Sequence, residues 1–339
     1  TGALSLVGLF ALTWRQQHVW RDSLSLWTHV NRVTTPSPVG LTGLGNALVR
    51  TEQVSEGIAR YHAALNLDPG HADALANLGL ALARLARFGE AAARFEEALR
   101  LRPDDPGLHA NLGNVLWAMG RQDPALEHYR LALDRDPNHV DARYNLALAL
   151  ARRGDVDAAS EHYLRVLALR PDHTEARNNL GNILLRQGRY EAALVHFRQA
   201  LAVRPGYVTA QVNAGIVLTA LADYGQAVRH YRQALKLDPD NVLALDKLAE
   251  LLATCPDARL RDAGEAVSLA ERAVTLTGGS DPRVLRTQAR AQAANGRLDE
   301  AAVTLARAIN LAETAGLEEL VGDLTKLQAD LGSVPNRPR

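Results

Sequence analysis

Apolar and small residues return along this chain in a fixed register of 34 positions. Leu44, Leu78, Leu112, Leu146, Leu180 and Ala214 form one column. The next position reads Gly45, Gly79, Gly113, Ala147, Gly181 and Gly215. Further on come Gly57, Ala91, Ala125, Ala159, Ala193 and Ala227, then a ring at Tyr61, Phe95, Tyr129, Tyr163, Phe197 and Tyr231. Ala64, Ala98, Ala132, Val166, Ala200 and Ala234 follow, and each unit closes on Pro69, Pro103, Pro137, Pro171, Pro205 or Pro239. With that proline counted as position 32, positions 4, 7, 8 and 11 share one face of a first helix, and 20, 24, 27 and 28 one face of a second. A period this strict predicts stacked helix pairs rather than one globular core.

The small residues at positions 8, 20 and 27 let the paired helices approach to about 8–10 Å, and the ring at 24 fills the space they leave. Gly120, Gly154 and Gly188, at position 15, suit a left-handed cap between the helices. Asp-Pro or Arg-Pro at 31–32 stops the second helix, because proline restricts the residue before it and has no N–H to donate. Ala159→Leu is expected to overpack the joint at a cost of about 1–3 kcal/mol.

Six consecutive units in this register, from about Pro38 to Asn241, resemble the tetratricopeptide repeat (TPR) family. They depart from its pattern at position 4, where the usual Trp is replaced by Leu41, Leu75, His109, Arg143, Arg177 and Gln211. The resemblance implies an all-α fold, a right-handed superhelix (α-solenoid) of about eight helix-turn-helix repeats, with position 6 facing a concave groove.

The flanks extend this plan. Residues 38–241 hold the six regular repeats, and 242–313 two divergent ones. Leu245, Leu248, Ala249 and Leu252 restart a first helix, and an insertion near 255–262 precedes Ala266, Ala270 and Ala273. Leu285 and Ala289, then Ala301, Leu305 and Ala308, supply the eighth repeat. Residues 314–339 read as a capping helix over Glu318 to Leu331 with a Pro-containing, frayed tail. Upstream, residues 1–13 are uncharged and mostly apolar. Such a length spans about 20 Å as helix against roughly 30 Å of hydrocarbon, so it is read as the end of a truncated transmembrane helix. A buried capping helix is the alternative. Residues 14–37 place Trp14, Trp20 and Trp27 beside Arg15 and Arg21, a combination typical of a membrane–water interface. Asp22 to Thr34 then predicts the second helix of a half-repeat.

Charge narrows the partners. The 339 residues carry 38 basic and 38 acidic side chains, without the basic excess of a nucleic-acid sleeve. Cys255 is the single Cys, which excludes an intrachain disulfide and a Cys-based zinc site. Placed before Pro256 at a helix end, it reads as a structural thiol. No phosphate loop, GxSxG or HExxH occurs, so no catalytic residue and no cofactor is assigned.

Position 6 is Asn in five successive repeats: Asn77, Asn111, Asn145, Asn179 and Asn213. Amides both donate and accept, so such a column can pair with an extended peptide backbone of any sequence. It is similar to the Asn ladder of the TPR domain in O-linked N-acetylglucosamine transferases. Asn178 at position 5, and Asn114 and Asn182 at position 9, add to the same face. Replacing all five position-6 residues by Ala is expected to weaken partner binding with little change in melting temperature. Arg50, Arg84, Arg152 and Arg186, at position 13, suit a clamp on a carboxylate or acidic segment, or else form a solvated or salt-bridged row. Trp117 at position 12 is an aromatic anchor for a ligand or a packing residue. His128, His162, His196 and His230 share position 23. Equivalent atoms of successive repeats lie about 10 Å apart, too far to share a metal at ~2 Å, so they are read as helix-surface histidines.

These features predict a non-catalytic protein–protein interaction scaffold that binds an extended peptide or partner protein. The order of segments also resembles bacterial transmembrane-and-TPR proteins of the protein O-mannosyltransferase-like kind. That resemblance implies membrane tethering, an extracytoplasmic (periplasmic) TPR domain and a substrate-presenting role beside a glycosyltransferase. A soluble cytoplasmic scaffold and an accessory domain of an O-GlcNAc-transferase-like enzyme are the alternatives.

Overall fold

The computed structural model describes residues 22–332. The apolar segment 1–13, the interface candidates Trp14, Arg15, Trp20 and Arg21, and the tail from Ser333 lie outside the described residues. Among the described residues the fold is all-helical: eighteen α-helices, one 3-10 turn and no strand. No helix among them is long and apolar enough to cross a membrane. The chain forms two compact units, one up to Leu169 and one from Arg170.

In the first unit a leading helix, α1 (Ser23–Val33), precedes four pairs. These are α2 (Pro38–Arg50) with α3 (Val54–Leu67), α4 (Ala72–Arg84) with α5 (Phe88–Leu101), α6 (Pro106–Ala118) with α7 (Gln122–Arg135), and α8 (Val140–Arg152) with α9 (Val156–Leu169). In the second unit four pairs precede a closing helix. They are α10 (Thr174–Arg186) with α11 (Tyr190–Val203), α12 (Val208–Ala220) with α13 (Tyr224–Leu237), α14 (Val242–Thr254) with α15 (Ala263–Leu276), and α16 (Pro282–Ala294) with α17 (Leu298–Thr314). The closing helix is α18 (Glu318–Gly332).

The close approach within each pair has the predicted cause. A Cβ placed on Gly45, Gly79, Gly113, Gly181 or Gly215 would come within 2.5 to 2.9 Å of the ring at position 24 of its own repeat. Those rings, with Tyr163, are at most 3% exposed. Gly120, Gly154 and Gly188 turn the chain with φ of +76°, +88° and +72°. The equivalent residues of three other repeats, Glu52, Ala86 and Ala222, take the same left-handed conformation at φ of 64°, 57° and 58° without being glycine.

The ends show how the stack is closed. Asp22 caps α1 through a reciprocal capping box with Ser25, whose backbone N–H donates to the Asp22 carboxylate at 2.7 Å. Trp27 stands at the ring position of this half-repeat and lies against Gly43. Gly43 occupies position 6, so the Asn column starts one repeat later because the indole takes that space. At the far end Leu324 of α18 is fully buried with Leu305, Ala308 and Ala312 of α17, while the opposite face of α18 is solvated. The insertion is compact. Cys255, 2% exposed, terminates α14, Ala258–Leu260 form the 3-10 turn, and Asp262 caps α15.

Candidate functional site

The first helices of neighbouring repeats bring positions 6, 9, 12 and 13 to one face. In the first unit they enclose a notch of about 120 Å³ lined by Asn114, Trp117, Tyr129, Asn145, Leu148 and Ala149. The Asn145 side-chain N–H donates to Oδ1 of Asn114 at 2.8 Å, and the Tyr129 hydroxyl donates to the same oxygen at 2.8 Å. Both lone pairs of that oxygen are thereby used. The amide N–H groups of Asn114 and Oδ1 of Asn145 are left to serve a partner. The Arg152 guanidinium sits 5.9 Å from the centre of the Trp117 ring, within reach of cation–π attraction. Burial pushes the Tyr129 phenol well above its ordinary pKa, so it remains a neutral donor. Four predicted residues, Asn114, Asn145, Trp117 and Arg152, thus meet in one place.

Other predicted residues serve the stack. In the second unit the Asn213 N–H group donates to Oδ1 of Asn178 at 3.0 Å and of Asn182 at 2.8 Å. Asn178 is 2% exposed and Asn213 8%, so this trio ties two repeats together, and Asn178 belongs to the core rather than the groove lining. Arg84 is not a free clamp. It donates to the Val49 carbonyl at 3.1 Å and pairs with Glu52 of the preceding repeat. Asn77, Asn111 and Asn179 are half-buried on the same face, and Arg50 and Arg186 are exposed.

The histidine column is not a helix-surface feature. Each ring is half-buried against position 4 of its own repeat, where the usual Trp is missing. His109 and His128 face each other with Nδ1 atoms 3.0 Å apart. Nδ1 of His162 lies 3.4 Å from Arg143, and Nδ1 of His230 2.6 Å from Oε1 of Gln211. Sequence spacing between repeats hid these contacts, which are made within repeats. Among the described residues no cluster of three or more His, Cys, Asp or Glu is placed to hold a metal.

A second notch escaped the sequence reading. It lies in the second unit, three repeats on at the same register, with about 370 Å³ lined by Thr219, Tyr224, Tyr231, Lys247, Glu250, Leu251, Thr254, Cys255 and Pro256. Thr219 stands where Trp117 stands in the first notch, and Lys247 and Glu250 replace Asn145 and Leu148. The Lys247 ammonium lies 3.1 Å from Asp246 and 3.2 Å from Glu250, and Arg290 donates to Glu250 at 2.7 Å. Burial works against both charges. The two carboxylates nevertheless hold the Lys247 pKa above its ordinary value, and Lys247, Arg286 and Arg290 hold Glu250 below its own. The available signal was the break in the Asn column at positions 6 and 9, next to the insertion that supplies Cys255 and Pro256.

Comparison with known proteins agrees with this architecture. Models of the tetratricopeptide repeat match residues 42–106, 106–149, 139–206, 178–241 and 282–307. The chain is a TPR protein. No curated protein sequence matches it. Among solved structures it is similar to PilF of Pseudomonas aeruginosa, at 18% identity and a TM-score of 0.58, over 63% of this chain and 97% of that one. PilW, a widely conserved type IV pilus biogenesis factor, is 21% identical with a TM-score of 0.55, over 60% and 94% of the two chains. A TPR protein from Parabacteroides merdae is 18% identical with a TM-score of 0.54, over 75% and 98%. At these identities the likeness is one of fold.

Proposed function

We propose that this protein is a non-catalytic scaffold that binds an extended peptide segment of a partner along the face formed by its first helices. The observation that carries the reading is the notch at Trp117. An indole plane, an outward amide donor and an outward amide acceptor converge there, and an arginine covers the ring. Paired donor and acceptor groups suit a peptide backbone, and an indole beside a small cavity suits one apolar side chain of that peptide. Selection of random twelve-residue peptides against the protein tests this. Enriched peptides are expected to bind Trp117→Ala about tenfold or more weakly. Equal binding to Trp117→Ala would remove the notch from the function.

Membrane attachment through residues 1–13, with Trp14, Arg15, Trp20 and Arg21 at the interface, is part of the same proposal. So are an extracytoplasmic location and presentation of the bound segment to a glycosyltransferase-like enzyme. What supports the attachment is the uncharged, apolar composition of residues 1–13 and the Trp/Arg pairs that follow, while the location and the presenting role rest on the resemblance of segment order alone. Flotation of the full-length gene product with vesicles, lost on deletion of residues 1–21, is the expected result.

A further inference from the structure

Positions 4 and 23 pack against each other within a repeat, and their residues change together along the chain. Repeats 1 and 2 combine Leu41 with Arg60 and Leu75 with Arg94. Repeat 7 combines Leu245 with Leu269 in an apolar cluster. Repeats 3 to 6 alone combine a polar residue with histidine: His109 with His128, Arg143 with His162, Arg177 with His196, and Gln211 with His230. We propose that two of these pairs, Arg143 with His162 and Arg177 with His196, are acid-operated joints, each closed while its histidine is neutral and loosened when the ring gains a proton. This goes beyond the groove reading and does not depend on it.

The two arginine–histidine pairs are built for neutral rings because position 4 cannot move away. In each repeat its side chain is tied to the carbonyl of the proline six residues earlier. His109 reaches Pro103 at 2.9 Å, Arg143 reaches Pro137 at 2.5 Å, Arg177 reaches Pro171, and Gln211 reaches Pro205 at 3.2 Å. With Nε2 of His109 donating to Pro103, its Nδ1 accepts and Nδ1 of His128 donates. That contact survives a proton on Nε2 of His128, as the bond from Nδ1 of His230 to Oε1 of Gln211 survives a charged ring, so acid breaks neither of these two pairs. A protonated His162 faces the anchored Arg143. His196 has its Nδ1 buried without a hydrogen-bond partner beside Arg177, itself held by Pro171 and Gln199. Arg143 and Arg177 each carry a buried Nε without a partner as well.

The surrounding charges mostly oppose protonation. His128 is faced by His109, Glu127 and Glu96; His162 by Arg143, Arg130, Glu161 and Asp155; His196 by Arg177; and His230 by Arg198 and Arg229. The acidic groups favour the charged ring, but burial first, and a facing arginine or His109 second, hold all four below the ordinary histidine value. A base whose folded pKa is depressed gives its full stabilisation above the unfolded value, about 6.5, and loses it as pH falls from there towards the folded value.

Hydrogen exchange of the intact protein at about pH 7.5 and 5.5, corrected for intrinsic exchange, tests the two joints. Protection in α8–α11 is expected to fall on the order of tenfold more than in α2–α5. An equal change along the chain would overturn the proposal. A second measurement covers its chemistry. The His162 and His196 ring resonances are expected to titrate below about 6.5, and midpoints at or above that value would overturn it. Replacement of His162 and His196 by Gln is expected to flatten the extra acid loss in α8–α11. If that variant does not fold, the titration of the unaltered protein decides.

Discussion

One methyl group at Gly113 is enough to test how the helix pairs are held. Its Cβ would lie 2.7 Å from the Tyr129 ring, which is 3% exposed and has no room to retreat. Gly113→Ala is therefore expected to cost about 1–3 kcal/mol, read as a lowered thermal midpoint. The opposite sign is expected at Ala222, held at φ 58°. Ala222→Gly removes a left-handed penalty of roughly 1–2 kcal/mol, offset by about 1 kcal/mol of added chain entropy, so it is neutral to slightly stabilising. Gly120, Gly154 and Gly188 announced this turn in the sequence. Glu52, Ala86 and Ala222 did not, because the hydrogen bonds of the turn impose the conformation on residues that do not prefer it. Asn213 was legible as a member of the position-6 column, but not as a buried tie. Its replacement strands the oxygens of Asn178 and Asn182, so Asn213→Ala is expected to cost about 1–3 kcal/mol. The expectation that the whole Asn column can be removed without loss of melting temperature is corrected accordingly.

At the scale of elements the pattern told more. The boundaries of the helix pairs follow from Pro at position 32 and the small residues at 8, 20 and 27. Each of these acts through its own backbone or volume and needs no partner to be recognised. What the pattern did not tell depends on three elements meeting. The notch at Trp117 requires α6, α7 and α8, and its Asn114–Asn145 bond joins successive repeats. The notch at Lys247 needs the insertion after α14 to form its wall. There, Lys247→Met leaves Asp246 and Glu250 without their shared cation. Because the lysine is partly exposed, the expected cost is about 1–3 kcal/mol, below that of a fully buried pair. A denaturant midpoint unchanged by the substitution would show that Arg286 and Arg290 suffice for Glu250.

Across the whole molecule, stability is the sum of repeats and their interfaces, so no single core decides folding. The half-repeat at α1 closes the start of the first unit and the solvated helix α18 the end of the second, which open pairs require. Function follows the same logic, since the varied residues sit on the face that the constant ones create. Trp117 appears once among columns of small or aliphatic residues, and the polar position-4 residues appear only with histidine at 23. The measurement that tests the central claim most directly is amide and indole chemical-shift mapping of the protein with a peptide selected from the random library. Shifts concentrated at the Trp117 indole and the side-chain amides of Asn114 and Asn145 are predicted. Shifts confined to the second helices of the repeats, with the Trp117 indole unmoved, would contradict the account.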